Sequence, residues 1–165
     1  MATTLRTALL ILLFTLVIQM QFNLDADKTA TRQLKNSIEL AVHDAALAID
    51  SASIIQGKIF FDQNLAIQNL KASLEANLNL TSNAGYVYTP NEGSFYQHEV
   101  YLLHLEFIDD SIPHTYPFTY INEDYNIMET VMGPSVVAVL STESPKWFKG
   151  NQTYIRQASV YEYRK

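Results

Sequence analysis

The first 56 residues contain no glycine and no proline, while all five glycines and all five prolines fall at or after Gly57. Inside that stretch, residues 7–24 (TALLILLFTLVIQMQFNL) carry no charge, and Arg6 is the only charged side chain before Asp25. A long uncharged run with no breaker satisfies its backbone internally as a helix. The expectation is one helix of about 50 residues, about 75 Å long at about 1.5 Å per residue. Its first third belongs in lipid or in the core of an assembly.

Three uses of residues 7–24 compete. A cleaved signal peptide fits the strongly apolar stretch Ala8 to Ile18, although Leu24-Asp25-Ala26 is a poor cleavage site. A membrane anchor fits a run of 18 uncharged residues, short for a span and weakened at its far end by Gln19 and Gln21. The third use is a helix that serves first as an anchor and then as the core of a filament. Arg6 and the amino terminus place weak positive charge ahead of the run. This orients the N-terminus to the cytoplasm and the rest of the chain outside.

From Asp25 the pattern becomes amphipathic. Leu34, Ile38, Ala41, Val42, Ala45, Ala48, Ile49 and Ala52 recur at three- and four-residue spacing, with Arg32, Lys35, Glu39 and Asp50 on other faces. Leu40, Leu47 and Ile54 form a second row at seven-residue spacing. Two apolar rows suggest two partners, the chain's own globular part and a neighbouring subunit. The plainer reading is a single helix half-buried on its own domain. Gly57 is placed as the C-cap.

The second half changes character. All ten tyrosines lie at or after Tyr86, and the only Phe, Tyr or Trp residues before Gly57 are Phe14 and Phe22. Aromatic and β-branched residues suit a pleated, half-buried surface. The chain thus divides into a helical part, 1–56, and a β-rich globular part, 57–165. Lys58 to Asp62 reads as a short strand or turn. Asp62 then caps a second helix, Asn64 to Leu78, with its stripe at Ile67, Leu70, Leu74 and Leu78. Thr81 to Gly85 reads as a loop.

Gln97 to Ile108 alternates, setting Tyr101, Leu103, Leu105 and Phe107 against His98, His104 and Glu106. Phe118 to Ile121 and Tyr125 to Val131 are shorter strands. Ser135 to Leu140 is apolar on both faces and reads as a central strand. Pro145 and Gly150 bound a loop that holds Trp147, and Tyr154 to Tyr163 is a last strand. The fold class is α+β: a long apolar-then-amphipathic helix, a second short helix and an antiparallel sheet.

Composition narrows function further. A net charge of −6 and a pI near 5.1 argue against nucleic acid, which needs a basic face. The absence of cysteine excludes disulfides, thiolate catalysis and cysteine-rich metal sites. His98 and His104 are six residues apart on one strand face, about 20 Å at about 3.3 Å per residue, too far to share a metal ion. His43 lacks a ligand one helical turn away, and the plainer reading of all four histidines, His114 included, is surface or satisfied core positions. The pairs Asp109-Asp110 and Glu123-Asp124 sit at turns, where acidic residues cap and solvate backbone rather than face each other across a cleft. Ser135 follows Gly133-Pro134 but lacks the second glycine of a nucleophile elbow. Nucleotide-binding and zinc-hydrolase motifs are absent. The tyrosines suit sheet packing, a carbohydrate-binding face or a subunit interface. Asn79-Leu80-Thr81 and Asn151-Gln152-Thr153 are glycosylation sequons by pattern. No cofactor and no small-molecule substrate is evident, and the expectation is a protein without enzymatic activity.

An apolar helix that runs on as an amphipathic helix, followed by a β-rich domain, resembles the ladle shape of the type IV pilin superfamily, which includes pseudopilins, archaeal pilins and flagellins and Tad-type pilus proteins. The likeness covers the whole chain as architecture. Leu5 stands at position 5, where bacterial type IV pilins usually carry Glu in the mature protein. No functional residue is transferred by motif, and processing by a prepilin peptidase is not expected. The resemblance implies a homopolymer whose apolar helices bundle in a filament core and whose β domains face outward at the cell surface, with a membrane-inserted precursor. The assembly interface is expected at Leu9, Leu10, Leu12, Leu13, Leu16, Val17, Met20, Leu34, Ile38 and Val42. The competing expectation is a single-pass anchored extracytoplasmic binding or sensory module, with an anchored hydrolase as a third.

Overall fold

A computed structural model describes residues 2–112 and 115–163. Helix α1 spans Ala2–Ala46, α2 Ser51–Ile55 and α3 Gln63–Leu78. Seven strands follow: β1 Leu80–Ser82, β2 Val87–Pro90, β3 Val100–Ile108, β4 Phe118–Asn122, β5 Ile127–Val131, β6 Ser135–Glu143 and β7 Tyr154–Glu162. Five of them form one antiparallel sheet in the order β1-β2-β3-β6-β7, and β4 and β5 form a separate hairpin. The α+β class and the order of helix, short helix and antiparallel sheet are as the sequence predicts.

The domain has three layers. The second half of α1 and α3 pack on one face of the sheet around Leu34, Ile38, Val42, Leu70, Leu74, Val100 and Leu140. The β4–β5 hairpin packs on the other face through Tyr120 and Ile127, against Ile108, Val137 and Val139. Strand β6 lies between the two layers. Val136, Ala138 and Leu140 face the helices and Val137 and Val139 face the hairpin, which is why the strand is apolar at every position from Val136 to Leu140.

Helix α1 covers 45 residues, about 68 Å at about 1.5 Å per residue. It ends at Ala46 rather than running to Gly57. Asp50 supplies the reason. Its side chain accepts the Ala52 N–H and starts α2, while the Asp50 N–H donates to the Phe60 carbonyl. Ser53 Oγ donates to the Asp50 carbonyl and accepts the Phe60 N–H. These short polar side chains offer the backbone an alternative to the helical ladder. Gly57 still closes a helix, but it closes α2: its φ is +74° and its N–H reaches the Ile54 carbonyl.

The core also reaches further back along the chain than the division at residue 57 implies. Ala26, Ala30, Leu34, Ile38, Ala41, Val42, Ala45 and Ala46 are all buried. The globular unit therefore begins near Asp25, and only the first half of α1 stands outside it.

Asp62 caps α3 by accepting the Leu65 N–H, as expected. Its buried stripe is Ala66, Leu70, Leu74 and Leu78, with Ile67 only half-buried. Thr81 and Ser82 form β1 rather than a loop, and β1 pairs with β2, a strand that periodicity does not reveal.

The alternation expected for β3 breaks at a bulge. Leu102 pairs with Leu140 and His104 with Val139, so Leu103 is an extra residue. Val100 and Leu102 face the helices before it, and Leu105 and Phe107 face them after it. Tyr101 and Leu103 are left exposed, and His104 and Glu106 turn toward the hairpin.

Candidate functional site: the projecting helix and its collar

The first half of α1 leaves the domain. Leu9, Leu10, Leu12, Leu13, Leu16, Val17 and Met20 are each at least half exposed, so the described part of the fold leaves them largely uncovered. Between Ala8 and Ile18 the only polar side chain is Thr15, and its hydroxyl donates to the Ile11 carbonyl at 2.8 Å. Thr7 does the same to the Thr3 carbonyl at 3.0 Å. Both hydroxyls are satisfied within the helix, as an apolar surrounding requires. The segment is apolar on every face, unlike a helix half-buried on a soluble domain. Helix α1 is long and apolar enough to cross a membrane, by length and composition.

Leu34, Ile38 and Val42 belong elsewhere. Each is at most 1% exposed and packs in the chain's own core. They have no surface to offer a neighbour, so the expected assembly interface shortens to the seven residues from Leu9 to Met20. The second row survives as surface. Leu40, Leu47 and Ile54 are all about half exposed, although Leu47 follows the end of α1 and Ile54 lies on α2.

Where α1 enters the domain, a loop between β6 and β7 closes around it. Asn23 Oδ1 accepts the N–H groups of Trp147 and Phe148, each at 3.0 Å. Asn23 Nδ2 donates to the Phe148 carbonyl at 2.9 Å. The Phe22 and Phe148 rings lie 6.0 Å apart. One amide side chain thus meets three backbone groups of a loop 124 residues away in sequence. Beside this collar a groove of about 970 Å³ runs along α1, with Leu16, Met20 and Leu24 on the helix side and Lys149 and Ile155 opposite. The sequence marks the loop by Pro145, Trp147 and Gly150, but Asn23 is one of three side-chain amides with Gln19 and Gln21, and nothing in its local pattern distinguishes it.

Most of the polar residues weighed for chemistry have structural partners. Asp109 is buried and accepts the N–H groups of Phe61 and Ser111, and Asp110 accepts that of Ile59. The pair therefore pins the Lys58–Asp62 segment. His104 Nε2 lies 3.1 Å from both Glu106 Oε2 and the Tyr120 hydroxyl, and that hydroxyl donates to Glu106 at 2.6 Å. Burial, then this bond to Glu106, push the Tyr120 phenol up to about 12. The cluster fastens the hairpin to the sheet. His98 sits 3.8 Å from Glu143, and His43 is 3.2 Å from Asp44. Among the described residues no three His, Asp or Glu side chains come together as a metal ion would need. His114 lies outside the described residues. Ser135 Oγ donates to the Gly133 carbonyl at 2.8 Å.

A long apolar N-terminal helix followed by an antiparallel sheet is compatible with a pilin-like architecture. Comparison with protein-family models, with curated proteins and with solved structures finds no match to this chain.

Proposed function

We propose that this protein is a structural subunit of an extracellular pilus-like filament or pseudopilus, without enzymatic activity, that polymerises with copies of itself through the N-terminal half of α1. The observation that supports this reading is a helix, continuous with the domain core, whose emergent half carries a largely uncovered stretch, Ala8 to Ile18, that is apolar on every face. Such a surface associates with lipid or with like helices, at roughly 25 cal/mol for each Å² of apolar area removed from water. In this reading the helix sits in the membrane before assembly, with Arg6 on the cytoplasmic side and the domain outside, and is transferred to the filament core. Head-to-tail contacts between identical copies then repeat without closing. The exposed row of Leu40, Leu47 and Ile54 is a second surface for such contacts.

A second reading keeps the helix in lipid permanently. Residues 7–24 rise about 27 Å at about 1.5 Å per residue, close to the roughly 30 Å hydrocarbon thickness. The molecule is then a single-pass anchored extracytoplasmic binding or sensory module. Electron microscopy of the full-length protein after detergent removal separates the two. Filaments of uniform width that vanish with Leu12→Arg, while the amide NMR fingerprint of the domain persists, support the polymer. Wild-type protein that only decorates vesicles as discrete particles refutes the polymer and leaves the anchored module.

A further inference from the structure

We propose that the loop from Pro145 to Gly150 is a membrane-interface anchor, in which Trp147 and Phe148 insert at the headgroup boundary of the bilayer that holds α1. The inference rests on the membrane-inserted state described above and adds a second contact to it, made by a part of the chain more than 120 residues away.

Depth is the first argument. Arg6 and Asp25 bound the uncharged part of α1, so its middle lies between Thr15 and Leu16. Asn23 is then about 11 Å along the axis from that middle, at about 1.5 Å per residue. The hydrocarbon half-thickness is about 15 Å. The backbone of Trp147 and Phe148 is bonded directly to Asn23, so the loop sits where acyl chains give way to headgroups.

Chemistry is the second. Trp147 is 60% exposed, and Phe148 lies beside Phe22 with the rings tilted by 43° while keeping part of its surface open. In water these are uncovered apolar rings. At the interface a Trp places its ring among acyl chains and its N–H among headgroups.

Backbone satisfaction is the third. A loop that enters the acyl boundary must have its N–H and C=O groups paired. Asn23 supplies partners for two N–H groups and one carbonyl of residues 147 and 148. This gives the Asn23 amide a role at the end of the uncharged run. Charges around the collar balance: Lys28, Lys146 and Lys149 stand against Asp25, Asp27 and Glu143, with Lys146 Nζ 3.4 Å from Glu143. A zwitterionic bilayer therefore suffices.

Trp147 is the only tryptophan, so the full-length protein reports on itself. It is reconstituted in phosphatidylcholine vesicles containing lipids brominated either near the headgroup or deep in the acyl chain, with iodide as the aqueous quencher. The double variant Trp147→Phe with Leu12→Trp moves the reporter well inside the apolar run, about 5 Å from its middle at about 1.5 Å per residue. The expected result is blue-shifted Trp147 emission, quenched more by shallow than by deep bromine and protected from iodide, with the reverse depth order for the Leu12→Trp reporter. If the Leu12→Trp reporter is quenched by deep bromine while Trp147 is quenched by iodide and by neither lipid, the loop is not an anchor and membrane insertion of α1 stands. If deep bromine fails to quench the Leu12→Trp reporter, insertion itself is refuted, and the anchor falls with it.

Discussion

Removing residues 1–56 should unfold the rest of the chain, whereas removing residues 1–24 should not. The magnitude follows from what α1 buries. Leu34, Ile38 and Val42 are fully buried in the core shared with α3 and the sheet. At about 1.5–3 kcal/mol for each such side chain, their loss costs about 5–9 kcal/mol. The five buried alanines Ala26, Ala30, Ala41, Ala45 and Ala46 add to this, as does the buried bond from the Tyr96 hydroxyl to the Ala30 carbonyl at 2.8 Å, worth about 1 kcal/mol. Leu70 and Leu74 would also lose the α1 surface that helps to cover them. The loss is comparable to the whole stability of a typical domain, about 5–15 kcal/mol. The assay is urea unfolding followed by near-ultraviolet circular dichroism, with amide NMR dispersion as a second readout. Residues 25–165 should give a dispersed spectrum and one cooperative transition, and residues 57–165 should give neither. A fragment 57–165 that unfolds cooperatively at the same urea concentration as 25–165 would refute the claim that α1 builds the core.

Two further outcomes are expected. Tyr88 is completely buried and its hydroxyl has no hydrogen-bond partner among the described residues, so Tyr88→Phe should stabilise the protein by about 1 kcal/mol, read as a rise of roughly 2–4 °C in Tm. The Ser82 side chain and backbone N–H, the latter 2.7 Å from Glu75 Oε1, hold the Glu75 carboxyl below its ordinary 4.5. Its contribution is present above that value and is lost as pH falls through the lower folded value, so Glu75→Gln should flatten the fall in Tm on acidification below about pH 4.5.

Much of the fold was legible because single segments declare it. The missing breakers and the apolar run specify α1, Asp62 specifies the start of α3, and the two-faced apolar β6 requires cover on both sides. The rest depended on partners that pattern does not name. The end of α1 is set by Asp50 and Ser53 bonding to Phe60 across a turn, in a stretch that otherwise reads as helix. β1 and β2 are too short to show a period and exist because β3 offers an edge. The Leu103 bulge is invisible because the residues on both sides of it alternate correctly in isolation. The exposed residues Leu9 to Met20 could be read from composition. Leu34, Ile38 and Val42 could not be told from interface residues, since a helix stripe looks alike whether its partner is the same chain or another. Asn23 was beyond reach for the reason that its partners lie at positions 147 and 148.

The continuity of α1 through the collar gives chain length an angular meaning. A helix turns by about 100° and rises about 1.5 Å with each residue. No glycine or proline interrupts α1, and Asn23 clamps it where it leaves the domain. The emergent half and the sheet therefore share one rotational phase. One residue inserted between Val17 and Phe22 would swing the whole domain by about 100° around the helix axis while moving it only about 1.5 Å along that axis. Four inserted residues would bring it nearly back into phase, one turn further out. The number of residues between the apolar run and Asn23 thus acts as a dial that sets which face of the domain each molecule presents to its surroundings.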